Sequence, residues 1–242
     1  MTATGDIEVI VLDILGTMVD EPGGLRAALT DALPATGEAG GAEGTAPAEL
    51  LTVWQEHVER EQRRIAEGSR AYAASETLDR EAAQRVADRA GITDPAAVER
   101  LATASRRLEP WADSAAGLAR LARRFPVLGL SHAGRTTLLH LHAHSGLRWH
   151  QALSAEDVRA YKPAPEVYQL ALDAAACPPE RVVMVAAHAW DLRGARAAGM
   201  RTAYVRRPGG DPPRRTDTCD WYADGLEELA ARLTATSEPG AA

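Results

Sequence analysis

Phenylalanine occurs once in this chain of 242 residues, and aromatic residues together make up 5% of it. A core must therefore be built from Leu, Val and Ala, and any aromatic near a candidate site invites a reason for being there. Cysteine is nearly as scarce. Cys177 and Cys219 are the only two, which excludes a disulfide scaffold and fits a reducing, cytoplasmic setting. No apolar run approaches the roughly 18–20 residues of a membrane-spanning helix. The opening MTATGDIEVIVLD enters a strand pattern at once, leaving no room for a signal peptide. Basic residues are also short, with 27 Lys and Arg against 34 Asp and Glu and a formal net charge of −7. Nucleic acid and anionic membranes both demand a basic footprint, so neither is expected as a partner. What is present, 45% apolar and 25% charged residues, is ordinary for a soluble globular protein with one large core or a core and a satellite domain.

Segment 7–13, IEVIVLD, is a β-branched run too apolar for a one-sided surface strand, and it ends in a carboxylate before Gly16-Thr17. It reads as a buried strand of a parallel sheet. Residues 24–33 read as a helix, and 34–48, PATGEAGGAEGTAPA, loses all periodicity and reads as a flexible loop. From Pro47 to about Leu108 the pattern is helical throughout, with Leu50, Leu51, Trp54, His57, Val58 and Ile65 at helical spacing and breaks at Gly91 and Pro95. After Pro110-Trp111 the chain alternates. Helices over 113–123, 134–145, 164–176 and 191–198 precede strands 125–131, 151–154, 181–187 and 201–207, and a last helix covers 224–233. This predicts an α/β fold, a Rossmann-like doubly wound parallel sheet built from 1–20 and 110–242, with an all-helical cap inserted over 21–109.

In such sheets chemistry gathers at the carboxyl ends of the strands. Asp13 ends the first strand with Thr17 four residues on, Ser131-His132 ends the second, Lys162 precedes the helix at 164, and His188 and Asp191 follow the strand ending at Ala187. A rigid strand-end carboxylate such as Asp13 can attack carbon or phosphorus and form an ester. Lys162 would keep it ionised. Ser131 and Thr17, with loop N–H groups, could hold a substrate anion, and Asp191 could act as the base for water.

The order DxxGTxxD (13–20), Ser131, YKPxPxVY (161–168) and VAAHxxDLxxAR (185–196) resembles the haloacid dehalogenase superfamily, and within it the L-2-haloacid dehalogenases. That resemblance implies a Rossmann-like core with an inserted helical cap. It divides activities between magnesium-dependent phosphatases and metal-free dehalogenases. Phosphatases carry a second Asp two residues after the nucleophile and an acid four residues before the position of Asp191. Here those positions hold Leu15 and Ala187, a poor donor set for Mg²⁺. No cofactor and no metal are expected. The resemblance implies instead that Asp13 displaces halide from a small 2-halo carboxylic acid, that Lys162 pairs with Asp13 near Tyr168, and that Asp191 activates the water that hydrolyses the ester.

Four departures fall on the leaving-group side. Leu15 stands where the family usually has an aromatic. Trp54 is followed by Gln55 rather than Arg, Ser131 by His132 rather than Asn, and Ala189 occupies a position near His188 that commonly holds Asn. Leu15, Trp54, Gln55, His132 and His188 thus join Thr17, Ser131 and Tyr168 as expected substrate-contacting positions. His132 could donate a proton to a leaving group more basic than halide, such as a strained ring nitrogen, or it could stand in for Asn as a neutral hydrogen-bond donor. A non-catalytic descendant using the old cleft is the non-enzyme alternative. Many relatives are dimers, so a homodimer is the default expectation.

The remaining features read as structural. Only His140 and His144 of the three histidines on one helix share a face, while Leu139 and Leu141 belong to core packing. Arg206-Arg207 reads as solvated or bordering the cleft, Trp111 and Trp221 as core or interface, and Trp190 as either covering the site or sealing the core.

Overall fold

The structure, a computed structural model, describes residues 6–33 and 46–235. Six parallel strands make one sheet in the order β3-β2-β1-β4-β5-β6. β1 (Val9–Asp13), β2 (Val127–Ser131), β3 (Gln151–Ser154), β4 (Val182–Ala186) and β5 (Arg201–Val205) follow the expected succession, and β6 (Trp221–Ala223) adds a short edge. β1 is the central strand, paired with β2 through Asp13↔Leu130 and with β4 through Leu12↔Val185. The chain first winds from β1 to β3 and then crosses back to β4 on the other side of β1. That reversal opens a crevice beyond the carboxyl ends of β1 and β4.

Both faces of the sheet are covered, which is why the strands are apolar without alternation. Ile10, Leu12, Val183 and Val185 pack with α5 (Ser114–Ala122), α6 (Arg135–Ser145) and α9 (Leu226–Thr234), contributing Leu118, Leu121, Leu138, Leu141, Leu229 and Leu233. The alternate residues Val9, Val11, Val182 and Met184 face α7 (Pro165–Ala175) and α8 (Ala189–Ala197) through Val167, Tyr168, Leu172 and Leu192.

A third apolar cluster lies almost wholly within helices, with Ile92 from the connection before α4. α1 (Glu21–Ala32), α2 (Pro47–Ala66), α3 (Ser75–Ala90) and α4 (Pro95–Ala102) gather Leu25, Leu29, Leu50, Trp54, Val86 and Leu101. Local chemistry sets their ends. Asp20 accepts from Gly23 N–H at 2.8 Å before α1, Asp94 caps α4 with Pro95 as its first residue, and Gly91 ends α3 in the left-handed region.

Four sequence readings are corrected. Pro47 and Ala48, assigned to the 34–48 loop, open α2, because a proline suits the first helical turn; residues 34–45 of that loop lie outside the described residues. β6 was not expected, since three residues carry no readable periodicity. Arg207 is buried rather than solvated. Leu139, assigned to the core with Leu141, is 67% exposed while Leu141 is fully buried, as two positions about 200° apart on a helix must be. On that basis Leu141→Ala should cost about 2–5 kcal/mol, whereas Leu139→Ser should change stability by under about 0.5 kcal/mol. Urea unfolding measures both, and equal losses would contradict the facing of α6.

Candidate active site

Lys162 is the point where the strand ends meet. Its ammonium donates to Asp13 Oδ1 at 2.8 Å and to Asp191 Oδ2 at 2.7 Å, with all three side chains at most one-tenth exposed. β1 delivers Asp13, the first turn of α8 delivers Asp191, and the segment before α7 delivers Lys162. Thr17 donates its hydroxyl proton to Asp13 Oδ2 at 2.6 Å and accepts from Ala187 N–H at 2.9 Å, tying the β1 loop to the end of β4. His188 Nδ1 lies 3.3 Å from the same Oδ2. Tyr168 donates to Asp191 Oδ1 at 2.8 Å. Gly194 makes room for that phenol, because a Cβ there would lie 2.3 Å from the hydroxyl oxygen.

The loop carrying Asp13 is braced from behind. Gly16 takes a φ of 76°, and a Cβ on it would meet the His188 ring at 2.8 Å, so both backbone and space call for glycine. Trp111 Nε1 donates to the Gly16 carbonyl at 3.1 Å, Arg207 Nε to the Thr17 carbonyl at 2.9 Å, and the Ser114 hydroxyl to the Met18 carbonyl at 2.7 Å. Arg207 is paired with Asp113 at 2.7 Å and lies over the Trp111 ring. Sequence reading missed this bracket, since nothing in one sequence joins residues 111, 114 and 207 to residues 16–18.

Environment separates the two carboxylates. Burial alone would raise Asp13, but Lys162 and His188 outweigh it and hold its pKa far below the usual range. Asp191 goes up, because burial and the Asp13 charge exceed the help from Lys162 and Tyr168. Lys162 is raised despite burial, by the two carboxylates. His188 is also raised: burial opposes its charge, but the bond to Asp13 and the charges of Asp13, Asp191 and Glu21 prevail. One carboxylate is thus a firm anion and the other the better proton acceptor.

His132 is different. Its Nε2 accepts the Lys162 backbone N–H at 2.8 Å, and its ring stands edge-on to Tyr161. Burial and the Lys162 charge push its pKa down to about 3, so the ring is neutral with its proton on Nδ1. Of the two readings of His132, proton donor to the leaving group and neutral hydrogen-bond donor in place of Asn, this environment favours the second. His188 is the imidazole whose surroundings favour the proton.

Asp13, Lys162, His132 and His188 form the floor of a cavity of about 380 Å³ between the sheet and the helical layer, and Asp191, fully buried, lies behind Lys162 without lining it. Leu15, Trp54, Gln55, His132 and His188 line it, as expected. Thr17, Ser131 and Tyr168 do not; all three are fully buried, and the Ser131 hydroxyl accepts from Ala133 N–H at 3.1 Å within its own loop. Thr17 and Tyr168 reach Asp13 and Asp191 from behind the cavity wall. The lining adds residues that strand-end reasoning did not reach, Glu21 and Asp79 from the helical layer and Asp211, and of the two readings of Trp190 it favours the one that covers the site. The Trp190 ring centroid is 5.9 Å from that of His132 and 5.8 Å from that of His188, so an aromatic wall exists although Leu15 is not aromatic. Burial, with the nearby Asp13 charge, raises Glu21 to about 7 against the opposing pull of His188. Asp79 is raised by burial and by Glu21 and Glu76. No arginine is found among the described residues that line the cavity.

The family model of haloacid dehalogenase-like hydrolases matches residues 7–199. The (S)-2-haloacid dehalogenase H-109 of Pseudomonas putida is 29% identical over 233 residues, spanning 90% of this chain and 99% of its own. The (S)-2-haloacid dehalogenase 4A of Burkholderia cepacia is 32% identical over 59% of this chain and 61% of its own. Among solved structures, the L-2-haloacid dehalogenase PA0810 superposes with a TM-score of 0.82 at 29% identity, covering 95% of this chain and 100% of its own. The defluorinating L-2-haloacid dehalogenase Rha0230 gives 0.84 at 27% identity, covering 95% and 96%.

Two buried carboxylates share one ammonium, so Lys162→Met should cost about 3–5 kcal/mol of stability at neutral pH, the usual result of stranding buried charge. Urea unfolding of the variant against the parent measures it. A loss under about 1 kcal/mol would mean that the carboxylates do not rely on the lysine.

Proposed function

The chain belongs to the haloacid dehalogenase-like hydrolase family, and on that premise we propose that it hydrolyses a carbon–halogen bond at C2 of a small carboxylic acid, as an (S)-2-haloacid dehalogenase does. The observation that carries this reading is the Lys162 ammonium held 2.8 Å and 2.7 Å from two carboxylates whose proton affinities are pulled apart. Asp13, kept ionised, attacks C2 from the side opposite the halogen; the C–X bond breaks, halide leaves, and an aspartyl ester forms. Asp191 takes a proton from water, whose oxygen bonds to the Asp13 carboxyl carbon. The acyl–oxygen bond then breaks, and the alkoxide takes the proton and departs as a 2-hydroxy acid of inverted configuration. Tyr168 orients Asp191, and the helical layer over 21–109 serves as the cap that closes on the substrate.

A phosphatase is disfavoured by the donor set. Leu15 and Ala187 offer no side-chain oxygen to a hard cation, and the Lys162 ammonium already takes an oxygen from each carboxylate. A purely binding descendant is disfavoured by the cost of keeping Asp13, Asp191 and Lys162 charged and buried.

A second reading has its own observation. Gln55 follows Trp54 in a lining without arginine, while Glu21 and Asp79 face the same space with raised proton affinities. A group that leaves as an amine, such as the nitrogen of a strained ring, suits that wall better than a halide does, and Glu21 near pH 7 can lend it a proton.

With (S)-2-chloropropionate, halide release insensitive to EDTA is expected, and Asp13→Asn should abolish it. Asp191→Asn should slow turnover by about 10²–10⁴-fold while an adduct accumulates on Asp13, read by peptide mass. No halide and no adduct over a panel of 2-halo acids would overturn the dehalogenase reading. For the second reading, azetidine-2-carboxylate should open faster than chloride is displaced, and Glu21→Gln should slow ring opening selectively. The two readings also differ in sign with pH. As Glu21 loses its proton above about 7, KM for a haloacid anion should rise, and KM for a substrate bearing a protonated amine should fall.

A further inference from the structure

We infer that His188 is a catalytic residue of the hydrolytic half-reaction, its Nδ1–H and the Thr17 hydroxyl together forming the oxyanion hole that receives the negative charge on Asp13 Oδ2 when water attacks the ester. This rests on the aspartyl-ester chemistry proposed above and assigns a division of labour between the two oxygens of Asp13. Among the described residues, Oδ2 has two donors, Thr17 at 2.6 Å and His188 at 3.3 Å, and Oδ1 has the Lys162 ammonium alone at 2.8 Å. The oxygen with one donor is the freer to bond to carbon, so Oδ1 attacks and becomes the ester oxygen. Oδ2 becomes the ester carbonyl oxygen, already facing two donors.

Hydrolysis then balances around groups in place. Asp191 removes a proton from water, the water oxygen bonds to the Asp13 carboxyl carbon, and the carbonyl electron pair moves onto Oδ2. On collapse that pair re-forms the double bond, the bond from the carboxyl carbon to Oδ1 breaks, the proton held by Asp191 passes to the departing alkoxide, and the second water proton, left on the Asp13 carboxyl, is released to solvent to restore the carboxylate. Lys162 spans Oδ1 and Asp191 Oδ2, which puts the proton and the alkoxide on the same ammonium. Donors fixed before the charge develops need no reorganisation when it does.

The position of His188 is fixed by its backbone. Its carbonyl accepts from Asp191 and Leu192 N–H at 3.1 and 3.2 Å at the start of α8, and its ring packs on the bare backbone of Gly16. It lines the cavity with its side chain 20% exposed, so it faces the reacting groups rather than bulk solvent. The charged and titratable groups around it are Asp13 from β1, Glu21 from α1, Asp191 from α8, Lys162 and His132 from the segments before α7 and α6, and Asp211, which pairs with it through the backbone. The carboxylates outweigh the cations, which raises the proton affinity of the imidazole above its ordinary value. Hydrolysis therefore fades as pH rises through the raised pKa of His188 and, on the acid side, as Asp191 takes a proton.

The backbone bonds at residue 188 do not depend on the side chain, so His188→Ala and His188→Asn are the test variants, with circular dichroism and thermal unfolding as the check on folding. Rapid-quench halide release is followed through the first turnover and into steady state, with the Asp13 adduct quantified by peptide mass. His188→Ala is expected to keep the first-turnover burst within about threefold while steady-state turnover falls about 10²-fold, the usual effect of losing one oxyanion donor, with ester accumulating as in Asp191→Asn. His188→Asn, which restores a neutral donor, should recover part of the rate and lose the alkaline limb of the pH profile. A structural role would slow both phases together, and that result, or an alkaline limb that survives in His188→Asn, overturns the assignment. Should His188→Ala fail to fold, the pH profile of His188→Asn decides alone. Absence of any ester on the parent enzyme with 2-halo or strained-ring acids overturns the parent reading and this one with it, and is told apart by the missing burst.

Discussion

One ammonium between two buried carboxylates governs this molecule. Two anions removed from water would repel each other and discharge by binding protons; Lys162 prevents this for Asp13 at 2.8 Å and for Asp191 at 2.7 Å. Each of the three arrives from a different crossover of the sheet, and their meeting depends on β1 and β4 being neighbours at the point where strand order reverses. A register error of one residue in β1 would turn Asp13 to the other face, and one in β4 would displace the start of α8 that carries Asp191. The apolar, doubly covered strands are the means of holding that register.

Lys162 alone leaves the trio one negative charge in excess, and the excess explains the next layer. His188 supplies the second cation, which is why its proton is retained despite burial. Tyr168 then takes the free oxygen of Asp191, and Thr17 takes Oδ2 of Asp13. Behind them the Arg207, Trp111 and Ser114 side chains occupy the carbonyls of residues 16–18. A loop that cannot use its carbonyls in a sheet or helix is thereby satisfied by side chains from elsewhere, and the nucleophile it carries stays rigid. Precision at Asp13 is bought at Asp113 and Trp111, residues that never face the cavity.

Much of this was legible in the sequence because strand ends are. Asp13, Lys162 and Asp191 sit at boundaries that hydrophobic runs and Gly or Pro punctuation mark, and a parallel sheet brings such boundaries together whatever the side chains are. What was not legible depends on distance or on protonation. The difference between His132 and His188 turns on burial and neighbours: burial and the Lys162 ammonium push His132 down, while Asp13, Asp191 and Glu21 raise His188. Arg207 looked like a surface residue because its partner Asp113 lies far away in sequence. β6 is shorter than any period that could betray it, and Leu139 sits about half a turn from the buried Leu141 in a helix whose residues are mixed on every side. The lone phenylalanine had a real counterpart: the aromatic wall absent at Leu15 is made by Trp190 and Trp54 instead.

Charge also limits what the cavity can accept. With Lys162 and His188 balancing Asp13 and Asp191, the floor is close to neutral, and the walls add only Glu21, Glu59, Asp79 and Asp211. A carboxylate substrate entering such a space brings one more negative charge and finds no arginine among the described lining residues. It is tolerated if the walls are protonated, and burial does raise both Glu21 and Asp79 toward that state. A protonated carboxyl is itself a hydrogen-bond donor to an anion. The same two residues, once ionised, become a site for a cation. On the proposed chemistry, proton uptake at Glu21 would select between an anionic and a zwitterionic guest, which ties the leaving group to the protonation of a residue that takes no part in attacking it.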